Sequence, residues 1–331
     1  MGKRNPPCSI WILIPSNSYN KAAGFRGQPC CTTAEVFNSI KVPGCGYAIV
    51  FVMLHPNCSI LERSLMELKP GKPVGLLHLN KENPKFSASR YSPSTDLIPF
   101  IEHYWIVRWN LRGQEPHLQE TLPHPSVHLV FEKDNSRIVG VFKGRFSVLL
   151  QEQGAVFGVK FLPGAYYPFL NNSVSTLTDR MVPFREIYGM SSQALEQRLF
   201  SQETAEQMIP LAESFIRERL PERDLNVDLI NTVVQTIISD RSIIKVDDIV
   251  RRFPVSKRQF QLLFRQYVGV SPKWIIQRYR LHEAVEKMDD GKIPDWSRLA
   301  LELGYYDQAH FIHDFKSIVG TSPEIYTKKV K

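Results

Sequence analysis

Phe264-Arg265-Gln266-Tyr267-Val268-Gly269-Val270-Ser271-Pro272 and Phe315-Lys316-Ser317-Ile318-Val319-Gly320-Thr321-Ser322-Pro323 stand 51 residues apart and close on one plan. A repeat at that spacing points to two copies of one supersecondary unit. The stretch from Ile249 to His282 holds no Asp or Glu, yet carries Arg251, Arg252, Lys257, Arg258, Arg265, Lys273, Arg278 and Arg280. Soluble surfaces normally mix both signs of charge, so one-sidedness on helices calls for a polyanionic partner. Each Lys or Arg placed on a phosphate releases condensed counterions, which is why such runs suit nucleic acid.

Working outward, Val246–Phe253 places Val246, Ile249, Val250 and Phe253 on one face, with acids at its start to suit the helix dipole. Pro254-Val255 breaks it, and Ser256 is a suitable N-cap for a helix over Lys257–Val268. That helix buries Phe260, Leu263, Phe264 and Tyr267 and presents Lys257, Arg258, Gln261, Leu262 and Arg265. A helix, a short turn and a second helix showing Arg and Gln outward is the geometry that lies in a major groove. Ser271-Pro272 opens a longer connecting helix over Pro272–Met288. The plan then repeats: Trp296–Leu303, a stop at Gly304, and a helix near Asp307–Ile318 that buries Phe311 and Phe315. Its outer side carries Gln308, Ala309, Ile312, His313 and Lys316.

With Arg280, Ala300…Gly304-Tyr305, Phe311…Phe315-Lys316 and Gly320-Thr321-Ser322-Pro323…Tyr326, residues 228–331 resemble the DNA-binding domain of the AraC/XylS family of bacterial transcription regulators. The resemblance implies seven helices and two helix-turn-helix units entering successive major grooves on one DNA face. Ile312 and His313 depart from the Ser, Thr or Arg often found there, and Leu262 replaces a commonly polar position, suited instead to thymine methyl groups.

The chain has 331 residues, 43% of them hydrophobic, which suggests two domains. Its net charge is +8, and from Asp240 to Lys331 there are 17 basic against 12 acidic residues. The longest apolar run, Tyr47–Leu54, is too short to span a membrane, and the start lacks the features of a secretory signal, so a cytoplasmic location is expected. All five cysteines, Cys8, Cys30, Cys31, Cys45 and Cys58, fall in an odd, irregular set that fits neither a disulfide framework nor a zinc motif. No Cys follows to serve as an alkyl acceptor, and no nucleophile elbow, phosphate loop or zinc-protease helix is present, so no enzyme class is indicated.

Residues 1–65 lack sustained periodicity, and are read as a poorly ordered extension or a mis-assigned start, with native protein beginning at Met66. From Ile101 the pattern becomes β: Ile101–Asn110, Val127–Phe131, Arg137–Phe142, Phe146–Gln151 and Ala155–Phe161, a small antiparallel sheet or open barrel. Ile101, His103, Trp105, Val107 and Trp109 share one parity. Helices follow over Ser192–Phe200, Thr204–Leu220 and Asn226–Ser239, with Pro210 expected to kink or restart the second. Leu65–Phe184 also resembles a domain of unknown function found before such DNA-binding domains. The likeness rests on Leu97…Tyr104-Trp105, Glu120–Leu129, Phe157–Gly164 and Leu177-Thr178-Asp179-Arg180. His124 and His128, with His103, lack the ligand pattern of a metal site, and a structural or hydrogen-bonding role is favoured. Tyr104, Trp105, Trp109, Tyr166, Tyr167 and Phe169 either fill the core or line a small-molecule pocket.

The fold expected is α+β: a β-rich sensor or dimerisation domain over 66–185, a helical linker over 186–227, and an all-α domain with two helix-turn-helix units over 228–331. The function expected is sequence-specific DNA binding by a transcription regulator. Arg258, Gln261, Leu262, Gln308, Ala309, Ile312 and His313 read bases, and Lys257, Arg265 and Lys316 hold phosphates. No cofactor or metal is expected. Double-stranded DNA is the expected partner, with a small-molecule effector, RNA polymerase and a second protomer as further candidates, and no membrane. The competing reading is a ligand-binding or scaffold protein that uses the basic helices for protein contacts.

Overall fold

The run Gln153–Phe161 is a strand because β-branched and aromatic residues alternate between two apolar environments, and it organises the sheet around it. A computed structural model describes residues 10–11, 37–42, 46–51, 76–77, 86–289 and 295–330. Its strands are β1 (Ile10–Trp11), β2 (Phe37–Val42), β3 (Gly46–Phe51), β4 (Leu76–Leu77), β5 (Phe86–Tyr91) and β6 (Ile101–Asn110). They continue as β7 (His117–Thr121), β8 (His128–Glu132), β9 (Arg137–Val139), β10 (Phe146–Leu150), β11 (Gln153–Phe161) and β12 (Met181–Pro183). A six-stranded sheet runs β12-β9-β8-β11-β6-β5, and a three-stranded sheet runs β10-β7-β4. Strand β1 pairs parallel with β3, and β2 pairs antiparallel with it. The reading of residues 1–65 as an extension or a mis-assigned start falls largely outside the described residues.

The helices are α1 (Tyr167–Leu170), α2 (Phe184–Tyr188), α3 (Gln193–Phe200), α4 (Ala205–Arg217), α5 (Leu225–Ser239) and α6 (Val246–Val250). They end with α7 (Lys257–Tyr267), α8 (Pro272–Asp289), α9 (Trp296–Glu302), α10 (Gln308–Val319) and α11 (Pro323–Val330). Seven of them, α5 to α11, form the double helix-turn-helix region, as the resemblance implied. Helix α4 runs unbroken through Pro210, so the helix does not restart there. The ring there costs only the N–H that would reach the carbonyl of Glu206, and a capping box at Thr204 and Gln207 fixes the first turn.

Both faces of the large sheet are covered. On one, Tyr104, Ile106, Leu129, Phe131, Phe157 and Val159 join a core that continues through α4 and α5 to Phe260 and Phe264 of α7. On the other, Trp109, Val130, Val139, Leu150 and Val156 form a smaller cluster. The shared parity expected for β6 fails at its start. Lys160 of β11 pairs with His103 and Phe161 with Ile101, so Glu102 bulges and Ile101 turns into the main core, away from His103. Within residues 186–227, Leu199, Met208, Ala212, Phe215 and Ile216 pack into the core on the sheet. The buried carboxylate of Glu213 on α4 accepts from Ser94 N at 2.9 Å, Ser94 Oγ at 2.6 Å and the Tyr104 hydroxyl at 3.1 Å.

A separate core gathers Leu281, Val285, Leu299, Leu303, Phe311, Phe315 and Tyr326 of the second unit. Leu122, at the end of β7, is fully buried in it. Gly269 and Gly320, the matching glycines of the repeat, sit at φ +89° and +86°, a left-handed turn that favours glycine.

Candidate nucleic-acid interface

Helix α7 is held by a capping box: Gln259 N donates to Ser256 Oγ at 3.3 Å, and Ser256 N donates to Gln259 Oε1 at 3.2 Å. Phe260, Leu263, Phe264 and Tyr267 are buried, which fixes the rotation of the helix. Lys257, Arg258, Gln261, Leu262 and Arg265 all lie on its exposed side, and Leu262 is 45% exposed. An exposed leucine amid Arg and Gln fits a surface that meets an apolar group such as a base methyl.

The basic run divides into three sets. Arg251, Arg252 and Lys257 pair with acids just outside it: Asp248 at 2.6 Å, Asp240 at 2.6 Å and Asp247 at 2.8 Å. These surface pairs are weak and exchange readily for another anion. Arg278 and Arg280 are buried in α8. Arg280 donates to the carbonyls of Ile237 at 2.9 Å and Asp240 at 3.1 Å, and pairs with Glu283 at 2.8 Å. Arg278 donates to the carbonyl of Lys143 and lies 4.5 Å from the Trp274 ring centroid. Burial lowers its guanidinium to about 10. Arg258, Arg265 and Lys273 remain exposed, with no ion pair among the described residues.

In the second unit, Asp295 caps α9 and Asp307 caps α10 through its carboxylate and His310 N, 2.7 Å apart. Ala309, His313 and Lys316 are exposed. Gln308 is half-buried and accepts from the Ser297 hydroxyl at 2.8 Å, and Ile312 packs against the second core. The turn before α10 carries Tyr306 at 89% exposure, a residue not singled out by sequence.

The other sequence candidates meet at a cavity of about 260 Å³ between the two sheets. Trp105 and Trp109 line it, whereas Tyr104, Tyr166, Tyr167 and Phe169 belong to the main core or its edge. His103, His124 and His128 also line it, but no group of three or more His, Cys, Asp or Glu among the described residues is placed to hold a metal. His128 Nδ1 accepts from Trp105 Nε1 at 3.1 Å, and burial with the nearby Lys160 charge lowers its pKa to about 3. Lys160, missed by sequence, is buried near the C-terminal end of β11 and bonds Glu102 at 3.0 Å. Burial raises the Glu102 carboxyl, but Lys160 and His103 outweigh it and hold the group at about 2. A charge inside an otherwise apolar strand was the available signal. The five cysteines lie outside the described residues.

Residues 249–329 match the family of helix-turn-helix domains, and residues 89–183 match a domain of unknown function (DUF6597). An uncharacterized HTH-type transcriptional regulator of Haemophilus influenzae is 33% identical over 76 residues, 23% of this chain and 25% of that protein. The chain thus aligns with about a quarter of that relative's length. Solved structures of ToxT from Vibrio cholerae align over much of both chains with low structural agreement. One at 1.65 Å is 12% identical, covering 74% of this chain and 98% of the other at a TM-score of 0.35. Another, with an unsaturated fatty acid bound, is 15% identical, covering 73% and 91% at a TM-score of 0.33. Among the described residues, no helix is long and apolar enough to cross a membrane.

Proposed function

We propose that this chain, which carries an AraC-type helix-turn-helix domain behind an N-terminal domain of unknown function, is a sequence-specific DNA-binding transcription regulator of the cytoplasm. The observation that carries the reading is the outer face of α7, where Arg258 and Arg265 stand without an ion pair among the described residues, beside Gln261 and Leu262. Arg258, Gln261 and Leu262 read bases, while Lys257, Arg265 and Lys316 hold phosphates. Ala309 and His313 lead the second reading face, with Gln308 and Ile312 beneath them. Lys273 and Tyr306 extend the backbone contacts. The two units enter successive major grooves, and the sheet region senses a signal or pairs protomers. The domains run 66–185, 186–227 and 228–331, with the middle segment a brace on the sheet.

Binding to a genomic fragment library, followed by a salt titration on the recovered site, tests the reading. The logarithm of affinity is expected to fall linearly with the logarithm of salt, by about 0.9 per phosphate contact. A flat salt curve, or binding without sequence preference, favours the scaffold reading.

A further inference from the structure

Gly269 and Gly320 follow the two reading helices at equivalent places in the repeat, and the sheet region covers both. At the first, the Thr178 hydroxyl donates to the Gly269 carbonyl at 2.8 Å. A Cβ built on Gly269 would stand 2.7 Å from that hydroxyl oxygen. At the second, the Arg145 guanidinium lies so close that a Cβ built on Gly320 would strike it. A cation is favourable there, because the C-terminal end of α10 carries the negative pole of its dipole. Arg145 is itself aimed by Glu120 of β7, 2.5 Å away.

The two contact points belong to one piece. Asp179 N donates to the Val141 carbonyl at 3.0 Å, and Gly140 N donates to the Arg180 carbonyl at 3.0 Å. The Asp179 carboxylate accepts from Lys143 N at 2.7 Å. Asp179 takes a left-handed φ of +58° to do so, a conformation that surrounding contacts must hold in place. The loop joining β9 to β10 and the segment 174–180 are thereby stapled into a bracket, with one arm on each helix-turn-helix unit. Its middle rests on α8, the helix between those units. Trp274 Nε1 donates to the Lys143 carbonyl at 3.3 Å, and the buried Arg278 donates to the same oxygen.

Reading helices that enter successive major grooves must keep one separation and one angle, because the grooves recur about every 34 Å along the duplex. A flexible joint loses entropy on binding and accepts several spacings. We propose that the bracket is a ruler for DNA recognition. Thr178 and Arg145 are positioning residues that fix α7 against α10, and so restrict the spacing between the two base clusters this chain accepts. The proposal rests on the reading of the chain as a regulator that enters two grooves, and it gives the sheet region a part in specificity.

Competition binding of the full chain to its recovered site tests the ruler, with one base pair inserted or deleted between the clusters read by α7 and α10. One inserted pair moves one cluster about 3.4 Å along the axis and turns it by about 35°. Wild type should lose at least about tenfold in affinity for either change. In Thr178→Val/Arg145→Met that loss should shrink to about threefold or less, with base preference inside each cluster unchanged. Thr178 is half-buried and Arg145 exposed, so folding should survive both changes. Thr178→Ser, which keeps the hydroxyl, should retain the wild-type loss. An undiminished loss in the double variant, or a wild type indifferent to the inserted pair, overturns the proposal. So does tighter binding of the double variant at the original spacing, which would make the bracket an inhibitor. Absence of any sequence preference in wild type sinks the regulator and the ruler together. Sequence-specific binding whose spacing rule survives the double variant sinks only the ruler.

Discussion

His124, in the wall of the cavity, stacks on His282 of α8 with ring centroids 4.3 Å apart and planes 11° from parallel. At this distance the two rings do not both carry a proton-borne charge, since two imidazolium charges there would repel in a poorly solvated space. Burial and the nearby Arg278 and Lys160 charges hold His282 at about 3.

Stability should therefore depend on pH. His282 and His128 both sit at about 3 in the folded chain, against an ordinary value of 6.5. Between those values the unfolded chain binds more protons, so stability is full above 6.5 and is lost as pH falls toward 3. Each group contributes a slope of up to about 1.4 kcal/mol per pH unit. Urea denaturation across this range should show His282→Phe flattening the slope. An unchanged slope removes His282 from the account.

Arg258→Ala should cost about 1–3 kcal/mol at the cognate site and relax specificity at one base position. Arg265→Ala should weaken all sequences alike and lower the salt slope by about 0.9. Competition binding with single-base variants distinguishes them. A uniform loss in Arg258→Ala makes that residue a phosphate contact.

Arg280→Met should cost about 3 kcal/mol in chemical denaturation, since it strips the Ile237 and Asp240 carbonyls of a buried donor and unbalances Glu283. DNA contacts are not involved, so the base preference of surviving folded protein should be unchanged. An altered preference would falsify the purely structural role of Arg280.

Gly158→Ala should destabilise by about 1–3 kcal/mol. A Cβ built there would meet the Trp105 indole, with Cε2 only 1.9 Å away. The loss should shrink when Trp105→Ala is added, because the ring being struck is then gone. Additive losses would mean that the glycine serves something other than the indole.

Local periodicity made much of this molecule legible. Strands β6, β8 and β11 and helices α3 to α10 follow alternation or 3.6-residue spacing, and the exposed side of α7 follows from its four buried apolar residues. Strands β5 and β7, Phe-Ser-Ala-Ser-Arg-Tyr and His-Leu-Gln-Glu-Thr, carry no such pattern because each borders a cavity or solvent. The bulge at Glu102 reverses the face of Ile101, and nothing local announces it. Pairing erased part of the basic run: Arg251, Arg252 and Lys257 find acids brought close by folding, and Arg278 and Arg280 go inside. His103, Lys160 and His128 line the cavity from three strands, so they are neighbours only after the sheet forms.

Leu122 leaves the sheet to fill the core of the second helix-turn-helix unit. That unit is consequently not a transplantable cassette. A fragment cut before α5, or a chimera grafting residues 225–330 onto a foreign N-terminal body, would carry a leucine-sized void at a cost of about 3 kcal/mol. Any swap of recognition specificity between relatives built this way has to bring the Leu122 segment along, or refill the hole it leaves.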